Sequence, residues 1–340
     1  MTARLCSTLL FLAATPALLA HRPAGDSRVF AGAPSPGYPE GIAVRGNRVY
    51  VSGPATFGLQ TAPYVAEYNL DSGKLLRTLP ITIANPYVNM RAASCLAFGP
   101  DGKLYVIEPF VGVIRMNLDA ANTQTVYATF PPSNNSLLND LAFDKDGNLY
   151  VTDSFQGVIY KIRPGGGAAQ MWFQDSRLLG NPQVPFGVNG IRIDKQGKRI
   201  YFSVTARQDF SGAIYSLPLV SRPQAWQLDE FHVFPATQAN PLPGPDGIAF
   251  GHSGKLYVTL AGSSEISVLL PNGMEQRTFT GPAKIDGSGQ TKPWTNPANI
   301  AFDDDNRRIL VTNHASLAPY DPTLFFVFDM AINDKGEDLP

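Results

Sequence analysis

Four residues with oxygen-bearing side chains, Glu40, Asn139, Asn189 and Asp246, stand far apart in the chain but at one place in a recurring pattern. Each immediately precedes the apolar core of a repeat: EGIAV, NDLAF, NGIRI and DGIAF. Ser94 of SCLAF and Ala298 of ANIAF complete the column. Two carboxylates and two neutral carboxamides are hard oxygen donors. They suit Ca²⁺, which takes six to eight oxygens in flexible geometry, ahead of Mg²⁺ or Mn²⁺. Two carboxylates offset the charge of such an ion, and four protein ligands leave positions for water and a substrate oxygen, as a catalytic ion requires. A single Asn or Asp is accounted for by capping a strand or closing a turn. Four at one repeat position, amid apolar neighbours, point to a shared ligand, because carboxylates facing one another away from water are costly without a cation.

The elements that must carry this column are short strands. In NDLAFDKDGNLYVTD the runs LAF and LYVT flank a turn rich in Asp and Gly, which tolerate the backbone angles a tight reversal needs. Six copies begin at Glu40, Ser94, Asn139, Asn189, Asp246 and Ala298, 45 to 57 residues apart. That period, with two strands at a fixed place in each unit, predicts an all-β, six-bladed β-propeller. Runs such as YVAEYNL, GVIYKIR and EISVLL supply third strands, and TVYATF, AQMWFQ and EFHVFP supply fourth strands. The last copy is followed only by LFFVFDM, so SRVFAG, residues 27 to 32, is expected to close the final blade and remove the open edge. Inner strands of a propeller begin at one end of the axial channel, so the column residues converge there.

Composition agrees. Apolar residues make up 44% of the 340, enough for a core, while 29 prolines and 31 glycines suit many short strands joined by turns. The net charge of −1, with no cluster of Lys and Arg, argues against a nucleic-acid partner; a small-molecule substrate is expected from the oxygen-donor column. Residues 1–20 read as a secretory signal with cleavage after Ala20. The apolar run is too short to span a bilayer. The expectation is a secreted, extracytoplasmic protein with no membrane span and one domain over residues 21–340. Such a chain keeps only Cys95, at the start of a strand, where a buried small hydrophobe is expected. Asn134, in Asn134-Asn135-Ser136, is a glycosylation acceptor in a eukaryotic host.

The segments PEGIAV, LLNDLAF, GVNGIRI and PDGIAF resemble the metal-binding segments of the regucalcin/gluconolactonase and paraoxonase-like six-bladed propellers, over about residues 26 to 330. The resemblance implies a divalent metal on the axis, held by Glu40, Asn139, Asn189 and Asp246. It also implies hydrolysis of a lactone or similar ester, or an organophosphate, with the metal polarising the carbonyl or phosphoryl oxygen. Two departures stand out. The gluconolactonase branch has a substrate-binding Asn where this chain has Ser94, and the paraoxonase branch uses a histidine pair that has no match here. Among the four histidines, His314 follows the second strand of the last copy on the metal face and is the candidate for a catalytic or substrate contact. Asp153, ending a returning strand on that face, is expected first to fix the neighbouring loop, and it is also a candidate base or ligand-orienting group. Arg91 and Ser94 are candidates for substrate binding. Fold does not dictate reaction. A non-hydrolytic cyclase, pericyclase or isomerase, or a propeller that only binds a ligand, is the alternative function.

Overall fold

The repeated turn is built as its residue types require. In the third copy Asp144 Oδ1 accepts the backbone N–H of Asp146 at 3.0 Å and of Asn148 at 2.8 Å. Gly147 takes a φ of +80°, which costs glycine nothing. The flanking strands Leu138–Phe143 and Leu149–Asp153 then pair antiparallel. The structure, a computed structural model, describes residues 22–119 and 121–337. The expected leader at residues 1–20 and its cleavage point lie outside the described residues.

Six sheets, each with an antiparallel blade at its centre, follow from six such turns. Blade one runs from Ile42–Arg45 through Arg48–Gly53 and Tyr64–Asn69 to Leu75–Pro80. Blade two begins with Leu96–Phe98 and Leu104–Glu108, and blade three with the pair above. Blade four begins with Val188–Ile193 and Arg199–Val204, and blade five with Pro245–Phe250 and Leu256–Leu260. Blade six has Pro297–Asp303, Arg308–Asn313 and Phe326–Ala331, and its outer strand is Ser27–Gly32, antiparallel to Phe326–Ala331. The ring is therefore closed by the N-terminal strand, as SRVFAG foretold. The described residues contain no α-helix and no helix long and apolar enough to cross a membrane.

The core lies between blades. The tyrosine of a second strand packs edge-on against the phenylalanine of the next blade's first strand: Tyr50 on Phe98, Tyr105 on Phe143, Tyr201 on Phe250 and Tyr257 on Phe302, with ring centres 4.8 to 5.3 Å apart. Edge-to-face pairs of this kind contribute roughly 0.5–1.5 kcal/mol each beyond the area they bury. They lock neighbouring blades at a fixed angle, which sets where the inner strands meet.

One feature of those inner strands departs from the sequence reading. The column residues were expected just ahead of the strands. In blades three to six they lie inside them, at bulges where pairing shifts between Leu138 and Leu141, Val188 and Ile191, Pro245 and Ile248, and Pro297 and Ile300. A bulge re-aims a side chain that would otherwise alternate into a neighbouring face. Glycine follows the column residue in blades four and five because the next blade is very close. A Cβ on Gly190 would come 2.3 Å from the Asp246 carbonyl oxygen, and one on Gly247 2.5 Å from that of Ala298.

Candidate functional site

A belt of hydroxyl groups anchors the column. Thr152 Oγ1 donates to the Asn189 carbonyl at 2.8 Å, Ser203 Oγ to Asp246 at 2.6 Å, Thr259 Oγ1 to Ala298 at 2.7 Å and Thr312 Oγ1 to Glu40 at 2.7 Å. Ser52 Oγ donates to the Ser94 carbonyl in the same way. These donors occupy equivalent positions in the second strands of five blades, and each holds the column residue of the next. Blade two has Ile107 at that position. There the Ser94 hydroxyl itself donates to the Asn139 carbonyl at 2.8 Å and fills the gap.

Two residues further along the chain, just past the ends of two of these strands, sit the groups that orient the carboxamides. Asn139 Nδ2 donates to Ser154 Oγ at 3.1 Å, and Asn189 Nδ2 donates to Thr205 Oγ1 at 3.0 Å. Ser154 in turn donates to the Val188 carbonyl at 2.7 Å and Thr205 to the Pro245 carbonyl at 2.9 Å. Each hydroxyl has one proton, already committed to a carbonyl, so it can only accept from the amide NH₂. Both amides are thereby turned with Oδ1 away from the hydroxyl. Asn139 Oδ1 and Asn189 Oδ1 are buried and have no hydrogen-bond partner. A buried acceptor left this way costs about 1–3 kcal/mol. Among the described residues no three His, Cys, Asp or Glu side chains group as metal ligands. Carboxamides must therefore complete any donor set here, and two orphaned amide oxygens beside two carboxylates fit a hard divalent cation.

Glu40, Asn139, Asn189 and Asp246 all line one cavity of about 460 Å³, together with Ser94, Thr205 and His314. Burial, reinforced by the nearby Asp140 carboxylate, pushes Glu40 up to about 8. Burial also holds Asp246 well above the usual carboxylate range, with Glu40 and Asp140 adding to the effect and a hydrogen bond from Asn189 opposing it. Asp246 keeps one edge open to the cavity although protein encloses it otherwise. His314 stands beside Glu40, with Nδ1 3.5 Å from Oε2. Its Nε2 is 2.8 Å from the Ala55 carbonyl oxygen, which can only accept, so Nε2 carries the proton and Nδ1 is an acceptor facing the site. Burial holds this imidazole down at about 4, and it is neutral at physiological pH.

Two expected residues stand elsewhere. The Asp153 side chain is fully buried and spends both oxygens on a loop: it accepts from Ser136 Oγ at 2.6 Å, Leu137 N at 3.0 Å and Gln156 Nε2 at 2.8 Å. It does not line the cavity. Strand alternation explains this, since Thr152 and Ser154 take the column side and Asp153 points the other way. Arg91 is likewise absent from the cavity wall. Its guanidinium donates to the carbonyls of Ile81 and Ile83 and lies 3.4 Å from the buried Glu108. Ser94 does reach the cavity, but its proton is given to the main chain. Asn134 is exposed on the loop before Leu138–Phe143. The sequence reading passed over Ser154 and Thr205. Their signal is a pair of hydroxyl residues two apart, in YVTDS and YFSVT, which share one strand face.

A family model described as the SMP-30/Gluconolactonase/LRE-like region matches residues 68–315. A search of curated protein sequences finds no match. Among solved structures the chain is similar to a calcium-binding regucalcin from Agrobacterium tumefaciens, at 18% identity over 92% of this chain and 98% of that one, with a TM-score of 0.63. A gluconolactonase from Xanthomonas campestris gives 17% identity, 93% coverage of each chain and a TM-score of 0.60. A virginiamycin B lyase from Staphylococcus aureus gives 14% identity, 90% and 98% coverage and a TM-score of 0.54. At these identities the likeness is one of fold.

Proposed function

The chain belongs to the SMP-30/gluconolactonase/LRE-like family, and we propose that it is a divalent-metal-dependent hydrolase of a lactone or similar ester, with Ca²⁺ the best-fitting ion. The observation that carries this is the pair of orphaned oxygens, Asn139 Oδ1 and Asn189 Oδ1, at the inner end of an open cavity that Glu40 and Asp246 share. Those four residues would hold the ion, which when bound supplies a Lewis acid for the carbonyl oxygen and lowers the pKa of water. His314 Nδ1, an acceptor beside Glu40, takes the proton of the attacking water, while its Nε2–H bond to Ala55 keeps the ring in the required tautomer. Ser154 and Thr205 hold the amides, and the hydroxyl belt holds the backbone beneath them. Phe57, Phe110, Phe186, Leu242 and Leu317 form much of the wall above, which favours an apolar acyl or aryl portion over a polyhydroxylated one.

The test is a panel of aliphatic lactones, aryl esters and aldonolactones, assayed with chelator and after Ca²⁺ is restored. Turnover that chelator abolishes and Ca²⁺ recovers, greatest on the apolar members, supports the reading. Metal binding without turnover on any member rejects hydrolysis. The acceptor nitrogen of His314, which faces the cavity, also suits a base in a non-hydrolytic ring opening or isomerisation. Reaction in ¹⁸O-labelled water separates the two, because only hydrolysis places solvent oxygen in the product. We further propose export directed by residues 1–20, which N-terminal sequencing of protein from the culture medium would check.

A further inference from the structure

We propose that Arg192 and Asp140 form the floor of the site and that the guanidinium offsets the Asp140 carboxylate, so that Glu40 and Asp246 supply most of the field an ion feels. At the repeat position of Arg192 the other five blades carry alanine: Ala43, Ala97, Ala142, Ala249 and Ala301. Those five methyl groups and Arg192 line a second cavity of about 380 Å³ at the opposite end of the axis. It shares no lining residue with the upper cavity. What separates them is a bridge across the channel. Arg192 Nη1 of blade four donates to Asp140 Oδ2 of blade three at 2.7 Å, and Nη2 donates to Asn299 Oδ1 of blade six at 3.2 Å. Asn299 Nδ2 continues to Cys95 Sγ of blade two at 3.0 Å. Blade five lies between blades four and six, so the arginine reaches past a neighbouring blade through the channel.

Asp140 is almost fully buried, follows Asn139 directly and also accepts the N–H groups of Leu141 and Ile191. A carboxylate in that place, without a partner, would add a third negative charge beneath Glu40 and Asp246. Arg192 cancels it. A buried ion pair is a poor way to gain stability compared with apolar packing. Here it leaves the floor closed and neutral, and the ion retains the electrophilicity that a third carboxylate would quench.

This inference rests on the reading that the column holds a cation, and its test uses binding alone. Full-length protein is stripped with chelator and titrated calorimetrically with Ca²⁺. Arg192→Met should tighten binding by at least about tenfold, since Asp140 is then unpaired, and Asp140→Asn should weaken it by a similar factor, since Arg192 is then unpaired. The double variant, in which both charges are gone, should return to within about threefold of wild type, and Arg192→Lys should stay near wild type. Should Arg192→Met fail to fold, Asp140→Asn and the double variant still decide the matter. Wild-type affinity in folded Asp140→Asn and double variants alike overturns the charge-setting role and leaves the metal site standing. Absence of Ca²⁺, Mg²⁺ and Mn²⁺ binding in the wild type removes the metal site itself, and this inference with it.

Discussion

Ser154 Oγ lies 3.1 Å from Asn139 Nδ2 and 2.7 Å from the Val188 carbonyl oxygen, and these two bonds together decide which way the Asn139 amide faces. The carbonyl takes the hydroxyl proton, so the amide must present NH₂ to Ser154 and oxygen to the axis. The residue thus acts on the site through Asn139 without entering the donor set.

Ser154→Ala removes that constraint and lets the Asn139 amide turn over. We expect Ca²⁺ affinity to fall roughly tenfold, in line with the loss of an outer-shell hydrogen bond to a metal ligand. The fold should lose about 1 kcal/mol. Ser154→Thr, which keeps the hydroxyl, should restore affinity. Calorimetric titration of the three proteins checks this, and equal affinities would show that the amide is held by something else.

Asp153→Ala separates a loop anchor from a proton acceptor. Its carboxylate accepts from Ser136, Leu137, Phe155 and Gln156. Truncation should therefore cost about 2–4 kcal/mol of stability, while activity per folded molecule changes less than threefold at a temperature where the variant is fully folded. A fall in kcat of a hundredfold or more, with the melting temperature unchanged, would return Asp153 to the chemistry.

The blades and the column were legible because both rest on local chemistry. The DKDGN-type turns and the period-two strands can be read within some fifteen residues, and six aligned copies make Glu40, Asn139, Asn189 and Asp246 stand out. The bulges were not legible, since a bulge is a mismatch between two strands. Nor was the bridge beneath the site. Arg192 and Asn299 meet across 107 residues, and only closure of the ring sets them face to face. Asp153 and Arg91 stand outside the cavity for a related reason. Each lies near the metal end of its blade, but the direction of its side chain depends on pairing that the column did not specify. His314 was placed correctly beside the site, yet the Ala55 carbonyl that sets its tautomer belongs to blade one.

The stability of the metal-free protein should fall as pH rises from about 6.5 to 8. Glu40 is raised to about 8 in the fold and Asp246 is raised as well. In this window the folded state holds protons that the unfolded chain has already released, and it must give them up as pH approaches 8. Below pH 6.5 the trend is blunted. His314, lowered to about 4, contributes stability that is lost as pH falls toward that value, opposing the carboxyl groups. Thermal melts in chelator should therefore decline across pH 6.5 to 8, whereas melts in excess Ca²⁺ should stay level or rise, because the ion binds the deprotonated carboxylates. Parallel curves with and without Ca²⁺ would contradict a shared site at Glu40 and Asp246.

Asn139 itself gives the sharpest test, because its neutral oxygen is buried without a donor. In chelator, Asn139→Ala removes that unpaired acceptor along with one hydrogen bond to Ser154, so the two effects offset and the melting temperature should barely change. In Ca²⁺ the same variant should melt well below wild type, since the stabilisation by bound ion is lost, and its activity should fall with it. Asn139→Asp should behave oppositely. A third carboxylate joins Glu40 and Asp246, so the metal-free protein becomes less stable near pH 8 and gains more from Ca²⁺. The ion is then bound at least as tightly but polarises a substrate carbonyl less, and kcat should drop. A residue that merely capped a turn would give another pattern: aspartate would substitute without effect on kcat. Alanine would then lower the melting temperature equally in chelator and in Ca²⁺. Melts of both variants in the two conditions, with kinetics beside them, distinguish the patterns without knowledge of the natural substrate, provided any member of the lactone panel is turned over.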